Sequence, residues 1–182
     1  YLNRAGQLAG LMLGKFEDQA GGGLWSSLDT GLIARMKDDT DGAEPSGNAV
    51  AALALAELGR LTDQRPWLDA AKKILDWLGE RMRRLPHALP HALIALQRVT
   101  EPPARLVLAG DPTEAMQIAL AKVYRPDLLI TRAVANHPSE FIRGLAEKAQ
   151  GSTAYLCEEQ SCRLPIRDGA EMAESLRSSR GL

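Results

Sequence analysis

Three residues, Glu101-Pro102-Pro103, divide this chain into two kinds of sequence. Before them, apolar residues recur every three or four positions, the spacing of amphipathic helices. After them, short apolar runs alternate with helical stretches, the pattern of βαβ units whose parallel strands are joined by right-handed crossovers. The chain therefore reads as a helical region over residues 1–101 and a small α/β region over 102–182. Its 182 residues suffice for one domain, or one and a half, with a real core.

In the first region Leu8, Leu11, Met12 and Phe16 share one helical face, and Gly21-Gly22-Gly23 breaks that helix. The stretch from Leu24 to Met36 is mixed, with Leu32-Ile33-Ala34 a candidate extended piece. A second helix is expected to start at Pro45 or Ser46, because serine is a good N-cap and Glu44 suits the positive helix end. It runs through Val50, Leu53 and Leu58 to Gly59, where glycine is expected to stop it. A third helix opens near Pro66, a residue suited to a first turn, and aligns Trp67, Ala71, Ile74, Leu75, Leu78 and Met82 in one stripe. Pro86 and Pro90 punctuate a fourth, which carries Leu89, Leu93 and Leu96.

In the second region the run from Arg105 to Ala109 reads as a buried strand, closed by the turn Gly110-Asp111-Pro112. Helical spacing follows through Met116, Leu120 and Val123. Leu128-Leu129-Ile130 reads as a second strand, and Pro138-Ser139 as the start of a helix carrying Phe141, Ile142 and Leu145. Thr153 to Cys157 reads as a third strand, and Asp168 caps a last helix through Met172 and Leu176. The expected sheet is small, three-stranded and parallel.

Charge narrows the function classes. The 22 basic and 23 acidic residues nearly cancel, which argues against a nucleic-acid binder with its basic stripe. The one local excess, Arg81, Arg83 and Arg84, ends a helix, where cations meet the carbonyl dipole. No segment has the ~20 apolar residues that cross a bilayer, so no membrane partner is expected. The start, Tyr1-Leu2-Asn3-Arg4, lacks the form of a secretory signal and an initiator Met, and reads as cut from a longer chain. With two cysteines, a disulfide scaffold is excluded and a cytoplasmic location is expected.

The densest chemistry lies in Asp41-Gly42-Ala43-Glu44-Pro45-Ser46-Gly47-Asn48, at the start of the second helix. Glycines there would let backbone approach a ligand, and Glu44 with Asp41 could form an acid–base pair if their environments separate their pKa values. The bland alternative is that Asp41 and Asn48 satisfy loop amides while Ser46 caps the helix. Trp25, just after the glycine run, would stack on a sugar ring or pack into the core.

Cys157 and Cys162 leave three states open: plain thiols, a redox-sensitive pair, or half of a metal site. No second Cys/His pair follows to complete a zinc site, so no metal is expected. His87 and His91 stand four residues apart, but the glutamate of an H-E-x-x-H motif is missing, and a solvated surface pair is expected. His137 reads as a loop residue. No phosphate-binding glycine motif is present, and no cofactor is expected.

Three segments in register carry a resemblance. They are Lys37-Asp38-Asp39-Thr40-Asp41-Gly42-Ala43-Glu44-Pro45-Ser46-Gly47-Asn48, Glu80-Arg81-Met82-Arg83-Arg84-Leu85-Pro86, and Ala154-Tyr155-Leu156-Cys157-Glu158-Glu159-Gln160-Ser161-Cys162-Arg163-Leu164-Pro165-Ile166. Together they resemble the C-terminal part of the YyaL-like proteins, the spermatogenesis-associated, thioredoxin-domain-containing family. The resemblance implies a thioredoxin-like domain at the N-terminus of the complete protein, then an (α/α)6 toroid similar to N-acylglucosamine 2-epimerases and six-hairpin glycosidases. A short α/β segment follows. The chain would hold the last hairpins of the toroid and that tail.

Two functions follow as expectations. In the first, the chain is part of a carbohydrate-binding or carbohydrate-modifying toroid, with a sugar ligand held by Trp25, Ser46 and Asn48 and acted on by Glu44 and Asp41. In the second it is a non-catalytic, redox-linked interaction module in which Cys157 and Cys162 matter. Helices lacking their toroid partners would expose apolar faces, so self-association is also expected.

Overall fold

A computed structural model describes residues 1–29, 31 and 33–178. The chain divides into two compact units, Tyr1–Glu101 and Pro102–Leu182.

The first unit holds α1 (Leu2–Phe16), α2 (Gly47–Thr62), α3 (Arg65–Arg84), a 3-10 turn (Pro86–Ala88) and α4 (Pro90–Thr100). Helix α2 is central and packs on α1, α3 and α4. Its small residues Ala49, Ala52 and Ala56 are fully buried, and around them close Leu55, Ile74, Leu78 and Leu89. Each such large side chain taken from water contributes about 1.5–3 kcal/mol. Ser46 is the N-cap of α2, its Oγ accepting the Ala49 N–H at 3.0 Å. Of the expected extended piece, Leu32 lies outside the described residues, and Ile33 and Ala34 form no strand.

Gly59 does not stop α2. The helix continues to Thr62, and Asp63, in the left-handed conformation at φ 55°, forms the C-cap. A Cβ on Gly59 would lie 2.7 Å from Leu68 Cγ, so this glycine lets the first turns of α3 approach α2. Close approach between helices uses the same residue as termination does, and spacing along the sequence does not tell them apart.

The second unit is a sheet of order β2-β1-β3-β4, formed by β1 (Arg105–Ala109), β2 (Leu129–Ala133), β3 (Thr153–Glu158) and β4 (Ser161–Cys162). Its helices are α5 (Glu114–Lys122), α6 (Glu140–Lys148) and α7 (Gly169–Ser178). The expected three parallel strands are corrected to a mixed sheet of four. Strands β1 and β2 are parallel, β3 is antiparallel to β1, and the short β4 is antiparallel to β3. The reason lies in the segment carrying α6. It re-enters the sheet beside the end of β1, where Thr153 pairs with Ala109, so β3 must run back. Alternation of strands and helices does not encode that return.

All five residues of β1 are buried, which explains its apolar run without alternation. On one face Leu106, Leu108, Ala154 and Leu156 meet Met116 of α5 and Met172 and Leu176 of α7. On the other, Val107, Ala109, Tyr155 and Cys157 meet Ile142 and Leu145 of α6. Asp168 caps α7 as the sequence predicts, accepting the N–H groups of Ala170 and Glu171, and Ser139, at the expected helix start, caps α6 by accepting the Ile142 N–H.

Candidate functional site

The polar loop ahead of α2 is held by its own side chains. Asp41 Oδ1 accepts the Ser46 N–H and Oδ2 accepts the His91 N–H, both at 2.8 Å. One carboxylate thereby serves the N-termini of α2 and α4, where free N–H groups and the helix dipole favour a negative charge. Asp38 Oδ2 accepts the Gly47 N–H at 3.2 Å. Asn48, 2% exposed, uses its whole amide. Its Oδ1 accepts the Leu24 N–H at 2.6 Å, while Nδ2 donates to the carbonyls of Leu24 and Asp38 at 3.0 and 3.1 Å. Glu44 is exposed, and no side-chain hydrogen bond or ion pair holds it among the described residues. The loop thus joins Asp41, Ser46 and Asn48 around the start of α2, with the strand-like segment of Leu24 and Trp25 pinned beside them.

Trp25 is half-buried and belongs to a knot that sequence reasoning missed. Lys37 Nζ lies 4.5 Å from the Trp25 ring centroid and 5.2 Å from that of Trp77, and it donates to Asp18 and to the Gly22 carbonyl. The Arg35 guanidinium also sits over Trp25, at 4.5 Å. Cations over indole faces are favourable, more so when partly desolvated. The Lys37 hydrogen bond, joined by the Gly21 and Ala20 N–H groups, holds the Asp18 carboxyl below its ordinary range. A Cβ on Gly23 would lie 2.6 Å from the Trp77 ring, so the glycine run serves close packing on α3. Lys37 and Asp18 are 19 residues apart and carry no motif.

Cys157 and Cys162 are joined by a disulfide, which corrects the reading of plain thiols and leaves no thiol for half a metal site. They are direct partners of the β3–β4 hairpin, with Glu158 paired to Ser161. Cys157 is fully buried and Cys162 half-buried. Arg105 faces Cys157 in the β1–β3 register, is 3% exposed, and donates to the Glu159 carbonyl in the hairpin turn. Its guanidinium also lies 5.6 Å from the Phe141 ring centroid. A basic residue opening an apolar strand gave no sequence signal for this position.

Among the remaining expectations, His87 is exposed and His91 half-buried. His137 is a loop residue as expected, and a buried one. It is 3% exposed, with Nε2 3.1 Å from Thr131 Oγ1 and Nδ1 accepting the Ser139 N–H. Among the described residues no cluster of three His, Cys, Asp or Glu could hold a metal, and no helix is long and apolar enough to cross a membrane.

Fold and site together define a helical unit followed by a small mixed α/β unit whose sheet edge is clasped by a disulfide. Spermatogenesis-associated protein 20 of Homo sapiens is 36% identical to it over 174 residues, 88% of this chain and 22% of that protein. The Mus musculus protein of the same name is 34% identical over the same shares. An uncharacterized protein of Caenorhabditis elegans is 26% identical over 181 residues, 96% of this chain and 25% of that protein. No protein-family model matches. The chain is similar to a C-terminal part of spermatogenesis-associated protein 20. It spans about a fifth of the length of the mammalian relatives.

Proposed function

We propose that this chain is a non-catalytic interaction module whose α/β unit responds to redox conditions. The observation that carries the reading is the Cys157–Cys162 disulfide between neighbouring strands at the edge of the sheet. A bond placed there can open without breaking the β1–β2 and β1–β3 pairings that hold the unit together. The apolar side chains left exposed on α1 and α4, Leu8, Leu11, Leu93 and Ile94, support packing against further chain of the kind the longer relatives possess. In that arrangement α1 to α4 are the last hairpins of an (α/α)6 toroid, and a thioredoxin-like domain lies ahead of it in the complete protein.

The polar loop supports a structural role more than a catalytic one. Asp41, Ser46 and Asn48 each spend their oxygen atoms on backbone N–H groups. A carbohydrate-modifying reading is left with Glu44 and Trp25 alone, and a sugar-screened thermal shift, positive on binding to the native state, is expected to stay flat.

The redox reading is tested by incubating the native protein in dithiol/disulfide buffers of graded potential and counting alkylated cysteines by mass. Two thiols should appear together at reducing poise while the far-UV circular dichroism stays native. Loss of the whole fold on reduction would refute a responsive module.

A further inference from the structure

The edge of the sheet places three groups in a row on one face. Arg105 of β1 lies opposite Cys157 of β3, and Cys157 lies opposite Cys162 of β4. Directly opposed residues of antiparallel strands bring their Cβ atoms to about 4.5–5.5 Å. Arg105 is therefore the cross-strand neighbour of Cys157, and its permanently charged guanidinium reaches over the hairpin to the turn carbonyl of Glu159.

Exposure makes the two sulfurs unequal. Cys157 is fully buried against α6, among Val107, Tyr155 and Ile142. Cys162 is half-buried, on a strand of two residues, followed by Arg163, Leu164 and Pro165, all exposed. Leu164 is 84% exposed, an apolar side chain two residues from the half-buried Cys162. The charged groups about the hairpin are Glu158, ion-paired with Arg163, Glu159 and the buried Arg105.

We propose that the Cys157–Cys162 bond is a thiol–disulfide exchange site for a dithiol, in which Cys162 is the sulfur attacked and Cys157, beside Arg105, is the sulfur that leaves. This rests on the redox reading above and adds its direction. Exchange proceeds by attack of a thiolate on one sulfur of a disulfide, and the rate rises with the stability of the departing thiolate. The first thiolate of the dithiol bonds to Cys162 Sγ, and the Cys157–Cys162 bond breaks with its electron pair on Cys157 Sγ. A thiolate there is stabilised by the adjacent cation, as thiolates beside Arg or Lys generally are. The second thiolate of the dithiol then attacks its own partner sulfur, and Cys162 leaves and takes a proton. The dithiol ends oxidised to a disulfide, and the two cysteines end reduced. Beyond the sulfur bond, two paired positions and the Arg163 N–H to Leu156 carbonyl contact hold β4, and the Ala154–Ile166 bridge anchors the chain after Leu164, so the hairpin keeps its backbone pairing when the bond opens.

The test treats the native chain with the monothiol glutathione, quenches in acid, alkylates and maps the modified cysteines by mass. Glutathione on Cys162 and the alkyl group on Cys157 is the expected result. In parallel, dithiothreitol reduction is timed for wild type, Arg105→Lys and Arg105→Met, each checked for native circular dichroism. Arg105→Met should reduce several-fold more slowly, and Arg105→Lys, which keeps the charge, should stay near wild type. Glutathione on Cys157, or a folded Arg105→Met reduced at the wild-type rate, overturns the direction and leaves the redox reading standing. A bond that dithiothreitol leaves closed in the native protein overturns both. Should Arg105→Met not fold, the glutathione map and the Arg105→Lys rate decide, and a several-fold loss of rate in a folded Arg105→Lys counts against the charge.

Discussion

Asp41 accepts the backbone N–H of His91 at 2.8 Å, across 50 residues of chain. The contact ties the loop ahead of α2 to the first turn of α4, and the other carboxylate oxygen holds the Ser46 N–H at the same distance. Asp41 therefore behaves as a capping residue shared between two helices. Replacing it with Ala leaves two partly buried donors without a charged acceptor and should destabilise the helical unit by about 2–3 kcal/mol. Glu44→Gln, at an exposed position without such contacts, should stay within about 0.5 kcal/mol of wild type. All three tryptophans, Trp25, Trp67 and Trp77, lie in this unit, so urea unfolding followed by tryptophan fluorescence reads it alone. Equal stability of the two variants would contradict a structural role for Asp41.

Asn48 should be intolerant even of its closest analogue. Asn48→Asp keeps an oxygen for the Leu24 N–H but turns the other atom into an acceptor facing the Leu24 and Asp38 carbonyls. Two buried acceptors then lose their donor beside a desolvated charge, and the expected loss is about 3 kcal/mol or more at neutral pH. Lowering the pH to protonate the new carboxyl should recover part of it. An Asn48→Asp protein as stable as wild type at pH 7 would show that the amide does not clamp this segment.

What the sequence disclosed and what it hid divide along local and non-local lines. Ser46, Ser139 and Asp168 act on N–H groups two or three residues away, and their capping is written in adjacent letters. The run Arg105–Ala109 is a strand for an equally local reason, its unbroken burial. The direction of β3 depends on which end of the sheet the chain re-enters, and β4 on a pairing with β3 alone. Neither leaves a periodic trace. At the polar loop the residue types were legible but not their partners, because Asp41 and Asn48 satisfy amides 50 and 24 residues away. A cluster rich in hydrogen-bonding groups has one appearance in sequence whether it serves a ligand or the backbone.

The Asp18–Lys37 pair should contribute stability that depends on acid. The Asp18 carboxyl is held below its ordinary value first by the Lys37 hydrogen bond, then by the Gly21 N–H. A group whose folded pKa is depressed stabilises the folded state fully above its unfolded pKa of about 3.9, and the contribution disappears as pH falls through the lower folded value. Comparing wild type with Asp18→Asn by tryptophan-monitored unfolding, wild type should lead near pH 6 and the gap should narrow steadily below pH 4. High salt should change it little, since the Lys37 and Asp18 side chains are only 10% and 16% exposed. A gap independent of pH would mean that the lost interaction is not the ionised one.

Gly59 and Gly14 both lie within helices, yet their replacement should act in opposite directions. An added methyl at Gly59 would meet Leu68 Cγ at 2.7 Å and its backbone N at 3.1 Å, so the start of α3 has to move away from α2. Overpacking of this kind costs about 1–3 kcal/mol, more than the intrinsic gain from Ala in a helix. At Gly14 no atom lies within 4 Å of the added Cβ, and only the helix preference remains, worth about 0.5–1 kcal/mol in favour of Ala. Gly59→Ala should therefore lower, and Gly14→Ala raise, the urea midpoint of the same fluorescence transition. If Gly59→Ala proves stabilising, α2 and α3 are not in the close contact that carries α2 past its glycine to Thr62, and the termination expected from sequence would need another explanation than packing.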